Sequence, residues 1–203
     1  PTDRLNYAPA YGAANVTVTP VTPSVSTWPT AGGLTYGQAL SAASLSGGAA
    51  SVDGAFAFTR PDLMPPAGTY SASVAFTPAD AINYTTVSGA AEVAVAKAAP
   101  VITTPPLAGT ILFGEPLSSS LLTGGQAMAG AEPIAGVFAF SDPTTLPDSP
   151  GVYTAPITFT PADTANYLSA AGSAEVLVNL ADCPECTATT GPYPVGGMAC
   201  LTV

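Results

Sequence analysis

The chain has 203 residues, of which 13 are acidic and only 3 basic, for a formal net charge of −10. That balance excludes nucleic-acid binding, which needs a basic face to neutralise phosphates, and no apolar run reaches the length of about 18 residues that would insert in a membrane. The 20 Gly and 22 Pro oppose long helices, whereas a hydrophobic content of 47% at regular positions opposes disorder, so the composition points to turn-dense β structure.

Taken in chain order, the first seven residues (Pro1-Thr2-Asp3-Arg4-Leu5-Asn6-Tyr7) return as Pro78-Ala79-Asp80-Ala81-Ile82-Asn83-Tyr84 and again as Pro161-Ala162-Asp163-Thr164-Ala165-Asn166-Tyr167. Repetition at about 80 residues predicts tandem modules of small-sandwich size. The repeat divides the chain into residues 1–19, 20–98, 99–180 and 181–203. In the first segment, Ala14, Val16 and Val18 alternate as the inward face of a strand.

Residues 20–98 and 99–180 align along their whole length. Tyr36-Gly37-Gln38-Ala39-Leu40 matches Phe113-Gly114-Glu115-Pro116-Leu117, and Leu45-Ser46-Gly47-Gly48 matches Leu122-Thr123-Gly124-Gly125. Gly54-Ala55-Phe56-Ala57-Phe58 matches Gly136-Val137-Phe138-Ala139-Phe140 at a spacing five residues longer. An insertion therefore falls near 128–135, in a surface loop. Tyr70, Ala72, Val74 and Phe76 form one inward-facing set, with Tyr153, Ala155, Ile157 and Phe159 as its copy. Ala91, Val93 and Val95 form the last, with Ala174, Val176 and Val178 as its copy. Tyr70 and Tyr153 each follow a Gly by two residues after a Pro-rich turn. That arrangement resembles the tyrosine corner of Ig-like sandwiches, in which the hydroxyl bonds back to upstream backbone. On that reading each Tyr opens strand F, the Pro-Ala-Asp segment is the F–G loop, and the last inward set lies on strand G. The expected fold is all-β: two antiparallel Ig-like sandwiches, an unpartnered N-terminal strand and a short C-terminal tail.

The signature Tyr-Gly-Gln-x-Leu, Gly-Gly, Gly-x-Phe-x-Phe, Gly-Thr-Tyr and Phe-Thr-Pro-Ala-Asp-x-x-Asn-Tyr resembles bacterial Ig-like modules, repeated in tandem on secreted and cell-surface proteins of adhesin or stalk type. The resemblance covers residues 1 to about 180. It implies an extracellular, cell-surface location and service as a spacer, stalk or adhesive arm. It carries no catalytic motif.

On this register residues 1–7 are an F–G loop and 8–19 a G strand whose sheet is missing. Three explanations compete: a remnant of a longer stalk, a strand donated to another subunit, or a strand packed on its own first module. In the second, Tyr7, Ala14, Val16 and Val18 are the donated residues, and backbone pairing along an open edge links copies head to tail. Against donation stands the fact that both complete modules carry their own G strand.

The three cysteines, Cys183, Cys186 and Cys200, all lie in the tail. A zinc site normally takes four Cys or His ligands, and the chain has no His. In an extracellular setting one disulfide from Cys200 to either Cys183 or Cys186 is expected. Without His, Ser-His-Asp and Cys-His catalysis are excluded, and neither an enzyme nor a cofactor is expected. Asp3, Asp80 and Asp163 recur one to a loop, as for an Asx turn. Calcium, the functional alternative, wants about six to eight oxygens where each loop offers one carboxylate. Trp28 is expected to pack within or between modules rather than serve as a sugar platform, and Lys97 is the one candidate for an internal isopeptide bond.

Together these features predict a structural or adhesive extracellular protein, a subunit or segment of a bacterial surface filament or stalk. Its partners are other copies of itself or adjacent repeats. The alternative is a carbohydrate- or protein-binding module whose ligand is a host or surface glycan or protein.

Overall fold

The computed structural model describes residues 2–3, 5–6, 8 and 10–181. The chain divides into two compact units, Pro1–Ala96 and Lys97–Val203.

In the first unit the strands are β1 (Val25–Thr27), β2 (Thr30–Ala31), β3 (Leu34–Thr35), β4 (Leu45–Ser46), β5 (Ala49–Ala50), β6 (Gly54–Phe58), β7 (Gly68–Pro78) and β8 (Val87–Ala96). One layer has the order β3-β8-β7-β6. The pairing β3–β8 is parallel, and β8–β7 and β7–β6 are antiparallel. The opposing layer pairs β1 with β5 and β2 with β4. Residues between β6 and β7 form no strand. They cover the end of the sandwich instead, where Leu63 and Pro61 carbonyls accept from the N–H groups of Leu40 and Ser41 in a 3₁₀ turn.

Strict alternation fixes which residues are inside. Along β7, Ala72, Val74, Phe76 and Pro78 are buried and the residues between them face outward, as a period of two requires. The partner face on β8 is Ala91, Val93 and Val95, placed in register so that Ala72 meets Ala91 and Tyr70 meets Val93. Leu34, Leu40 and Ala43 close the core from the other side.

The second unit repeats this plan with β9 (Val101–Thr104), β10 (Leu107–Ala108), β11 (Ile111–Leu112), β12 (Leu122–Thr123), β13 (Gln126–Ala129), β14 (Glu132–Pro133), β15 (Gly136–Phe140), β16 (Gly151–Pro161) and β17 (Ala170–Asn179). Its main sheet runs β11-β17-β16-β15, again with a parallel outer pair. The five-residue insertion lengthens β13 and folds back as β14, a small exposed hairpin on the opposing layer. Ile111, Leu117, Ala155, Ile157, Val176 and Val178 form the core.

Two layers around one core, antiparallel except for the outer pairs β3–β8 and β11–β17, with strands G, F and C in one and A and B in the other, define the Ig-like sandwich. Here it is reduced, since the crossover from C to F contains neither D nor E among the described residues.

Candidate assembly interface

Residues 8–20 precede the first sandwich and join no ladder among the described residues. Ala14 is exposed, and Tyr11, Val16 and Val18 are 93%, 83% and 78% exposed. Their repeat counterparts are buried: Val93 and Val95, 77 residues on, are 0% and 4% exposed. The same side-chain pattern thus lies in a core twice and in solvent once. Tyr7 lies outside the described residues, as do Cys183, Cys186 and Cys200.

The loop before this segment keeps its local fold. Leu5 N–H donates to Asp3 Oδ1 at 3.0 Å, and Asn6 Nδ2 donates to Asp3 Oδ2 at 2.8 Å. Asp80 accepts from Ile82 N–H, Asn83 N–H and Asn83 Nδ2 at 3.2, 3.1 and 2.7 Å. Asp163 accepts from Asn166 N–H and Nδ2 at 3.2 and 2.8 Å. The Asx turn is therefore written in the seven residues themselves and does not need a sandwich around it. The Asn83 side-chain amide, and next the Asn83 N–H, hold the Asp80 carboxyl below its ordinary value of 3.8. The Asn6 amide and then the Leu5 N–H do the same for Asp3. These carboxylates are occupied by their own loops, and among the described residues no group of three or more Asp, Glu, His or Cys could hold a metal ion.

A further role of the loops was not read from the sequence. Val21 N–H donates to the Asn83 carbonyl at 2.8 Å, and Thr85 N–H donates to the Val21 carbonyl at 3.0 Å. In the second unit Ala98 N–H donates to the Asn166 carbonyl at 3.0 Å, and Leu168 N–H to the Ala98 carbonyl at 2.9 Å. Each F–G loop thus forms a parallel bridge to the residue that enters its own sandwich. Val21 and Ala98 stand 77 residues apart, two before Pro23 and Pro100, and that shared spacing was the available signal. Lys97 supports the same contact, its Nζ donating to the Thr164 carbonyl at 2.7 Å.

Tyr70 and Tyr153 lie on β7 and β16, two residues beyond Gly68 and Gly151, and pack half-buried against their cores. Gly68 has φ of +119°, a conformation that only glycine adopts without strain. Trp28 packs inside its own unit. Its ring meets Phe56 edge-on at 5.8 Å and lies against Gly89, where a Cβ would overlap the indole. Tyr36 packs on the first core, while its counterpart Phe113 is 46% exposed. No described helix is long and apolar enough to cross a membrane.

No protein-family model and no curated protein sequence matches the chain. Among solved structures it is similar to a three-domain Ig fragment of titin carrying an E-to-A change, at 12% identity and a TM-score of 0.33. That match covers 79% of this chain and 66% of the titin fragment, so the chain spans just under two thirds of its length. The first three extracellular domains of Drosophila N-cadherin are 14% identical with a TM-score of 0.26, at 79% and 68% coverage. Likenesses this remote carry nothing about role.

Proposed function

We propose that the chain is a structural or adhesive extracellular protein, a repeat array of a bacterial surface filament or stalk. In this reading residues 20–98 and 99–180 are the folding modules, and residues 8–19 are a strand of G-type pattern that pairs outside its own copy of them. The observation that carries it is the exposure of Val16 and Val18 beside the full burial of Val93 and Val95, which occupy the same place in the repeat. A lone amphipathic strand has no stable partner in water, and β8, the strand at the same place in the repeat, is ordered by pairing along its length with β7. The excess of 13 acidic over 3 basic residues suits a solvent-facing extracellular array better than a binder of anionic partners.

Light scattering of the full chain and of the V16D/V18D variant tests this. The wild type should form species heavier than the 19.9 kDa single chain as concentration rises. The variant, which puts two carboxylates where burial is required, should remain single. A wild type that stays single up to its solubility limit overturns the proposal.

A further inference from the structure

A donated strand needs an acceptor, and β8 and β17 are both laddered to their F strands along one edge. The opposite edge of each meets the entering chain only at its two ends. In β17 this is through the bridge Ala98↔Tyr167 and the short parallel ladder from β11 to Val178 and Asn179, as in β8 it is through Val21↔Tyr84 and the ladder from β3 to Val95 and Ala96. The Asn179 carbonyl turns to that edge, accepting from Phe113 N–H at 2.7 Å. Backbone groups alternate sides along a strand, so the N–H and C=O groups of Ala171, Ser173 and Glu175 turn the same way. The residue opposite Ser173 agrees: Pro156 has no N–H to give, and its carbonyl accepts from Ser141 N–H on its far side at 2.9 Å. Among the described residues no ladder or backbone bond takes up this edge between Leu168 and the β11 pairing.

Along the same stretch the entering chain departs to the opposite layer, β9 pairing with β13 and β10 with β12. Two adjoining cavities of about 460 and 480 Å³ result, bounded on one side by Pro100, Ile102 and Pro105 and on the other by Gly172, Ser173 and Glu175. The first unit handles the equivalent place differently. Trp28, 77 residues before Pro105, lays its indole on Gly89, which is 83 residues before Gly172. In the second unit the smaller Ile102 side chain reaches over Gly172 in place of an indole.

We propose that this groove of the second unit is the acceptor, and that its occupant is segment 8–19 of a second copy, added as an extra strand on the open edge of β17. The proposal rests on the donor reading above and supplies the site that reading lacked. The span from Ala171 to Glu175 equals that from Ala14 to Val18, five residues each. Main-chain pairing on the edge would hold the segment, and small alternate side chains would enter between Pro105 and Gly172. Residues 8–19 carry no charge in a chain of net charge −10, so they approach a second copy without like-charge repulsion. Donor and acceptor are different surfaces, so the contact is heterologous and propagates as a filament instead of closing as a dimer.

The test uses the full chain with a photo-cross-linking benzoylphenylalanine at position 16. Cross-linked products are sized and mapped by mass spectrometry, and association is measured in P105W and S173P backgrounds. P105W places a Trp where the first unit already tolerates one. S173P removes only an edge N–H, a position where Pro is accepted in sheets, and it serves if P105W fails to fold. Expected are intermolecular cross-links to residues 100–105 or 170–175, with association weakened at least about tenfold in each folded variant. Cross-links elsewhere or within one chain, or undiminished association of a natively folded groove variant, overturn the proposal. If V16D/V18D is single while both folded groove variants still associate, the acceptor fails and the donor stands. If V16D/V18D associates like the wild type, the donor reading itself has failed.

Discussion

Gly89→Ala should be harmful only while Trp28 is present. Trp28 is half-buried, and an aromatic side chain of its class buries about 200 Å² when fully enclosed, so its packing removes about 100 Å² from water. At about 25 cal/mol per Å² this contributes about 2.5 kcal/mol. The edge-on contact with Phe56 at 5.8 Å adds about 0.5–1.5 kcal/mol. Trp28→Ala should therefore cost about 3 kcal/mol. A methyl group at position 89 overlaps the indole and expels it, so Gly89→Ala should cost nearly as much. With Trp28 already removed, the same methyl group meets no ring, and replacing a strand Gly gains about 0.5–1 kcal/mol. The double-mutant cycle should thus show a coupling of about 3 kcal/mol. Urea unfolding followed by far-UV circular dichroism measures all four proteins. In Gly89→Ala, emission from the single Trp should also shift to the red. Additivity within about 0.5 kcal/mol would refute the packing argument.

The Asp80 loop should respond to acid. Its folded value is depressed below 3.8, so its contribution is present above that pH and is lost as pH falls through the folded value. A carbon-detected NMR titration should place the Asp80 midpoint below 3.8, and Asn83→Ala should return it toward 3.8; an unchanged midpoint would contradict the hydrogen-bond assignment. Ala98→Pro removes the N–H that reaches Asn166 and should cost the second unit about 1–3 kcal/mol. Hydrogen exchange at the Leu168 amide, which donates to Ala98, should quicken in that variant, and full protection there would count against the bridge.

Strand interiors were legible in the sequence because alternation is a local property. Tyr70 to Phe76 and Ala91 to Val95 state their inward faces without reference to the rest of the chain, and those faces are the buried ones. The Asx turns were legible for the same reason, since donor and acceptor lie three residues apart. What could not be read were contacts between segments distant in sequence. The bridge from Val21 to the Asn83 loop uses only backbone atoms, so no side-chain pattern announces it. The missing D and E strands were also hidden, because the Pro-rich stretch from Thr59 to Ala67 looks like a turn whether it joins adjacent strands or spans a layer. The groove beside β17 is invisible in a repeat alignment that equates Trp28-Pro29 with Pro105-Pro106. The difference matters because the Trp28 indole lies on Gly89, whereas the side chain over Gly172 is that of Ile102.

The parallel bridges have a mechanical consequence. In the first unit the chain enters beside Tyr84, runs in the same direction as β8 and leaves from its far end after Ala96. Entry and exit are therefore separated by the length of a ten-residue strand, about 33 Å. Tension between them slides the entering segment lengthwise against β8. The bonds at Val21 and those joining Leu34 to Tyr36 with the end of β8 run across that direction. They are loaded together in shear and cannot be peeled open one at a time. Ala98 and the Ile111–Phe113 segment give the second unit the same arrangement. A pull along the chain thus loads these bonds in shear, whereas a pull across β6 or β15 would open that edge strand bond by bond.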